Sequence, residues 1–169
     1  MTILFSLCAL GFTIYSFYWM NWRPGKLGVT PSKTFAAACE NGRVIIRLPL
    51  VFQNSGARPI IVQNLQLTIL NSHLAPLYFN AIIKKLDAED DGDYATQVAL
   101  NANSTLELIC EFKTNDTDFH FNEGKPSLRL KAQIDDNKWE EIKTFQIYIG
   151  GNASLALASG SVVVVKSDF

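Results

Sequence analysis

The stretch Val44-Ile45-Ile46-Arg47-Leu48-Pro49-Leu50-Val51-Phe52 decides the fold class. Val44, Ile46, Leu48, Leu50 and Phe52 recur at every second position, with Arg47 and Pro49 on the other parity. A period of two sets one row of side chains on one face, which describes a half-buried strand rather than a helix. Pro49 has no amide hydrogen for a ladder, so it predicts an edge position or a bulge. Asn54-Ser55-Gly56 follows as a turn signal.

The same period continues outward. Pro59 to Leu70 reads as the next strand, with Leu65, Leu67 and Ile69 against Gln66 and Thr68. Leu77 to Ile83 reads as a third, of ambiguous period. Ser104 to Lys113 sets Leu106, Leu108, Cys110 and Phe112 against Thr105, Glu107, Glu111 and Lys113. Ser127 to Ile134 sets Leu128, Leu130, Ala132 and Ile134 against Arg129, Lys131 and Gln133. Asp135-Asp136-Asn137 then marks a tight turn, since Asp and Asn tolerate the positive φ of a hairpin. Trp139 to Ile149 returns with Phe145, Ile147 and Ile149 on one face, and Ser161 to Lys166 is a last β-branched run. Seven or eight short strands separated by turns predict an all-β fold, an antiparallel β-sandwich, with a barrel as the alternative. No segment after Trp22 sustains a 3.6-residue period, so the crossover helices of an α/β fold are missing.

Arg47-Leu48-Pro49-Leu50-Val51-Phe52-Gln53-Asn54-Ser55-Gly56-Ala57-Arg58-Pro59-Ile60, followed by Leu65-Gln66-Leu67, resembles the immunoglobulin-like sandwiches of bacterial membrane-anchored proteins of unassigned function. The shared pattern is a strand, an Asn-x-Gly turn and a second strand. The resemblance implies an immunoglobulin-like sandwich and no activity. The cysteine pair and core tryptophan of antibody domains do not recur at their usual strand positions.

Upstream, the chain changes character. Ile3 to Trp22 is a run of 20 residues without a charge. At 1.5 Å per residue a helix of that length spans a hydrocarbon core of about 30 Å. Tyr18, Trp19 and Trp22 gather at one end, where amphipathic rings favour the headgroup layer, and Arg23, Pro24, Gly25 and Lys26 close the segment. Only Met1 and Thr2 precede the run, and aromatics fill the place where a signal peptide would be cut. Ala36-Ala37-Ala38-Cys39 imitates a processing or lipidation site, but Arg23, Lys26 and Lys33 stand between it and the apolar run. We therefore read a retained signal-anchor, with residues 3–22 in the bilayer. Residues 1–26 form the anchor and its basic flank, residues 27–40 an aperiodic stalk, and residues 41–169 the β domain. The flanking cations favour a cytoplasmic domain by the positive-inside rule, with a periplasmic or extracellular domain as the alternative.

The whole chain carries 15 basic and 16 acidic residues among 169. Beyond residue 26 the balance is 13 against 16, a mildly acidic domain. Dispersed cations (Arg43, Arg47, Arg58, Lys84, Lys85, Arg129, Lys131) form no stripe interleaved with aromatics, so nucleic acid is not an expected partner. Three cysteines exclude a disulfide-dense scaffold. A Cys39–Cys110 bridge stays open if the domain is extracytoplasmic.

Asp87-Ala88-Glu89-Asp90-Asp91-Gly92-Asp93 is the densest charge cluster. Asp87, Glu89, Asp91 and Asp93 alternate as calcium ligands do, with Gly92 in sixth place. Val98 holds the twelfth position, where a calcium loop needs a bidentate carboxylate, so a solvated acidic turn is the simpler reading. Asp116, Asp118 and His120 alternate as a metal site might, although Phe119 and Phe121 would then be the inward residues of a loop. His73 beside Ser72 reads as a surface turn. No nucleophile–base pairing and no glycine-rich phosphate loop is present. The sequence therefore predicts no enzyme and no cofactor. It predicts a membrane-anchored module for contact with an unidentified protein, the alternative being a module that binds calcium or another ligand through residues 87–93.

Overall fold

All five inward residues of the Val44–Phe52 stretch are sealed from solvent, at 0–1% exposure, and the strand carrying them is the spine of the domain. The computed structural model describes residues 2–40, 42–86, 92–115, 119–135 and 138–166. The chain begins with helix α1 (Thr2–Asn21). The strands β1 (Leu27–Pro31), β2 (Thr34–Glu40), β3 (Arg43–Asn54), β4 (Ile60–Ile69), β5 (Leu77–Ile83), β6 (Asp93–Tyr94) and β7 (Val98–Leu100) come next. They are followed by β8 (Ser104–Asn115), β9 (Ser127–Ile134), β10 (Lys138–Gln146), helix α2 (Gly151–Ala158) and β11 (Val163–Lys166).

Every pairing between these strands is antiparallel. They form one curled sheet, a half-barrel, in the order β10-β9-β4-β5-β8-β3-β2-β11, with β1 on β3, β6 on β5 and β7 on β4. The concave side holds a single core that includes Phe35, Ile46, Leu48, Phe52, Leu65, Leu67, Phe112, Leu128 and Leu130. The inward rows of β3, β4 and β9 are those the alternation predicts, and Cys110 lies on the core face as expected. Leu106 departs from its row and stays 36% exposed near the start of β8.

Four expectations need correction. Residues 27–40 do not form an aperiodic stalk but supply β1 and β2, both paired to β3. Phe35, Ala36, Ala37 and Ala38 are buried in succession, so both faces of β2 are covered and no alternation marks it in the sequence. The strands also exceed seven or eight, because short pieces such as β6 and β7 hold too few residues to show a period. Pro49 marks neither an edge nor a bulge, since β3 pairs with β8 on one side and with β1 and β2 on the other. The carbonyl of Pro49 accepts from the Ser32 amide at 2.9 Å. In an antiparallel ladder both backbone groups of a residue face the same neighbour. The missing N–H therefore points at the gap between β1 and β2, and β8 loses no bond. Finally, α2 is a helix where no helical period is legible. Its eight residues make barely two turns and bury only Leu157. Gly150 gives it no side-chain cap, but the Glu123 carboxylate lies against its N-terminus, 3.0 Å from where a Cβ on Gly151 would sit, which suits the helix dipole.

Candidate functional site

Three places gather polar side chains in a way the fold has to support. The first is the junction between α1 and the sheet. α1 is long and apolar enough to cross a membrane, and none of its residues is buried against the domain. Tyr15 and Trp19 stack at 6.1 Å and Phe17 meets Trp22 edge-on at 5.7 Å, so the aromatic end is ordered. The helix closes as the Trp22 and Arg23 amides donate to the Tyr18 carbonyl. The Arg23 guanidinium lies 4.4 Å above the Trp19 ring and donates to the Ser55 carbonyl and to Asn103 Oδ1, the latter at 3.3 Å.

Asn54, 1% exposed at the end of β3, is the hub of this junction. Its Oδ1 accepts the Lys26 amide at 3.2 Å and the Gly56 amide at 2.9 Å. Its Nδ2 donates to the carbonyls of Arg58 at 2.7 Å and Asn101 at 3.0 Å. One side chain thus ties the exit of the helix to the β3–β4 and β7–β8 connections, which are far apart in sequence. Gly56 has to be glycine here, because a Cβ would fall 2.1 Å from the Pro24 carbonyl oxygen. Asn54-Ser55-Gly56 reads as a turn in the sequence, but nothing local reveals the hub, since its partners lie up to 47 residues away.

The second place is on the outer face. Arg47 and Glu111 stand opposite each other in the β3–β8 register and form an ion pair of 2.9 Å, with side chains only 11% and 10% exposed. Asn80 donates to the other carboxylate oxygen at 2.8 Å, and Arg47 Nη1 donates to the Leu86 carbonyl at 3.1 Å. Asn80 reaches Glu111 because β5 shifts register between Phe79 and Ala81. The sequence places Arg47 and Glu111 outward, but not beside each other.

The third place is the end of the half-barrel away from α1. A cavity of about 340 Å³ opens between the β4–β5 connection, residues 119–127 and Ile149. His120 stands exposed on its rim, while Phe121 is buried and meets Phe119 edge-on at 5.0 Å. The two rings therefore take the inward positions, as the loop reading of this segment expects. Asp116 and Asp118 lie outside the described residues. His73 is exposed.

Of the acidic cluster, Asp87, Glu89 and Asp91 lie outside the described residues, and Asp93 is exposed in β6 opposite Ile82. Among the described residues no three His, Cys, Asp or Glu side chains gather as metal ligands would. Cys39 and Cys110 are free thiols, which corrects the bridge left open by the sequence. Cys39 pairs with Val44 and Cys110 with Leu48 on opposite sides of β3. Four residues of strand separate them by ~13 Å along the chain direction alone, beyond the ~7 Å Cα limit of a disulfide. Burial pushes the Cys110 thiol up to about 12. Burial also raises Cys39, against a smaller lowering by its hydrogen bond to the Phe121 backbone.

No protein-family model matches the chain, and no curated protein does. Among solved structures it is similar to a protein from Archaeoglobus fulgidus, at 11% identity and a TM-score of 0.38, over 85% of this chain and 97% of that one.

Proposed function

We propose that the protein is a single-pass membrane protein whose non-enzymatic β domain makes contact with another protein. The observation that carries this reading is α1, a 20-residue apolar helix with no buried residue. Its exposed Ile3, Leu4, Phe5, Leu7, Leu10 and Phe12 would be strongly unfavourable in water, and a bilayer relieves them. For protein contact the support is β11. This edge strand pairs only with β2 among the described residues, and Val162, Val164 and nearby Leu155 are 42%, 45% and 73% exposed. An apolar edge without charge or proline across its centre suits the addition of a partner's strand.

Arg23, Lys26 and Lys33 support a cytoplasmic domain. The finer fold reading is an immunoglobulin-like sandwich. β4 and β5 share only the pairs Gln66↔Tyr78 and Leu67↔Leu77, a narrow corner about which the sheet turns over its core.

Alkaline carbonate washing of membranes tests the anchor: the full chain stays in the pellet, and its release would overturn the reading. Copurification with the wild type and with Val164→Lys tests the contact. A partner held through the edge is lost in the variant, and an unchanged set of partners removes β11 from the proposal. A reporter fused after Phe169 tests sidedness, with activity expected in the cytoplasm and a periplasmic or lumenal signal counting against it.

A further inference from the structure

We propose that the rim of the β domain beside α1 docks on anionic lipid headgroups through Lys26 and Arg58. This rests on the reading of α1 as a membrane span and adds to it a second, surface contact made by the folded domain. Three observations lead there.

The first is the lack of a spacer. The Arg23 carbonyl, directly after the helix, accepts the Ala57 amide at 3.0 Å, so the turn carrying Arg58 touches the end of the span. Lys26 is held on both sides, by Asn54 Oδ1 on its amide and by the Ser55 amide on its carbonyl at 3.1 Å. A Cβ on Gly25 would fall 2.4 Å from Ile60, so the connection lies flush against the sheet. Tyr18, Trp19 and Trp22 set the headgroup level. The rim therefore sits within roughly one Debye length of the lipid surface, about 8–10 Å.

The second is the division of labour among the cations. Arg23 is taken up by Trp19, Ser55 and Asn103 and serves as the joint. Lys26 and Arg58 are exposed, and among the described residues neither pairs with a carboxylate. Asp135, a carboxylate on the neighbouring hairpin, accepts the Ile61 amide at 3.1 Å. The third is that Arg58 reaches the interface only through folding, being 35 residues beyond Arg23 in the chain. A juxtamembrane cation attracts an anionic surface by about 1 kcal/mol, roughly fivefold in population.

The test uses the full chain with Cys8→Ala and Cys39→Ala, reconstituted in phosphatidylcholine vesicles with or without phosphatidylglycerol. A fluorophore on Pro59→Cys reports the rim through quenching by headgroup-nitroxide lipid. A second sample labelled at Phe12→Cys reports the helix through acyl-chain nitroxides. The rim label is expected to be quenched more strongly with phosphatidylglycerol. High salt, or Lys26→Gln with Arg58→Gln, is expected to abolish the difference, each cation contributing about fivefold. Equal rim quenching in both lipids, or quenching indifferent to the double substitution, overturns the docking while a quenched helix label leaves the membrane reading intact. An unquenched helix label overturns the membrane reading and the docking with it.

Discussion

Asn54 and Glu111 are the two buried polar side chains of the described core, 1% and 7% exposed, and they solve different problems. Asn54 is neutral and works on backbone: its amide satisfies N–H and C=O groups from three separate connections. Glu111 is a carboxylate and works on side chains, held by Arg47 across the ladder and by Asn80 from the next strand. A buried amide needs only correct hydrogen-bond geometry. A buried carboxylate needs a cation as well, because desolvation outweighs hydrogen bonding alone. The junction thus depends on where chains meet, and the outer-face pair depends on charge balance.

This difference can be broken experimentally. Asn54→Ala removes every partner at once and leaves the Lys26 and Gly56 amides and the Arg58 and Asn101 carbonyls without it. The Gly56 amide is buried and the other three groups are part-buried. With each stranded group costing about 1 kcal/mol, we expect a loss of about 4 kcal/mol in denaturant unfolding. Asn54→Asp should recover only part of it, since its carboxylate still accepts from Lys26 and Gly56 but sets an oxygen against the Arg58 and Asn101 carbonyls. Glu111→Ala takes the carboxylate away from Arg47 and Asn80 and is expected to cost about 3 kcal/mol. Here the two sites part: replacing both members, Arg47→Met with Glu111→Leu, should recover most of that loss, since an apolar pair removes the charge problem. No second substitution is expected to rescue Asn54→Ala, whose partners are backbone. If the double apolar variant is as unstable as Glu111→Ala, the outer-face pair is a geometric hub after all.

A smaller effect separates the two ends of the junction itself. Arg23→Gln loses the contact over Trp19 and the charge-assisted bonds to Ser55 and Asn103, for an expected loss of about 2 kcal/mol. Hydrogen exchange at Ala57, whose amide is held by the Arg23 carbonyl, should speed up while exchange in β9 does not. Equal acceleration in both would mean that the junction is not a local unit.

How much of this was legible in the sequence follows from the kind of interaction. β3, β4 and β9 announce themselves because each has one wet and one dry face. β2 hides because four successive residues are buried, and α2 hides because its two turns anchor a single leucine. The positive φ of 31° at Asp135 was readable as turn chemistry. The hub and the ion pair were not, because they are products of register. Arg47 meets Glu111 across 64 positions of chain, and only the β3–β8 pairing brings them together.

Cys110 provides a third case, a buried ionisable group with no partner for its charge. Glu111 is paired with Arg47, whereas Cys110 on the opposite face of the same strand keeps its proton, and burial pushes it from the ordinary 9.0 up to about 12. The folded state therefore holds a proton that the unfolded state releases above pH 9. That contribution to stability is fully present below pH 9 and is lost as pH rises towards about 12, by about 1.4 kcal/mol per pH unit. Cys110→Ala leaves a small cavity and should melt earlier than the wild type at pH 8, but it lacks the titration. The gap between their melting temperatures should therefore narrow as pH climbs from 9 to 11. A gap that stays constant would mean that the thiolate is tolerated inside the sheet, and that a charge there does not need the partner Glu111 has.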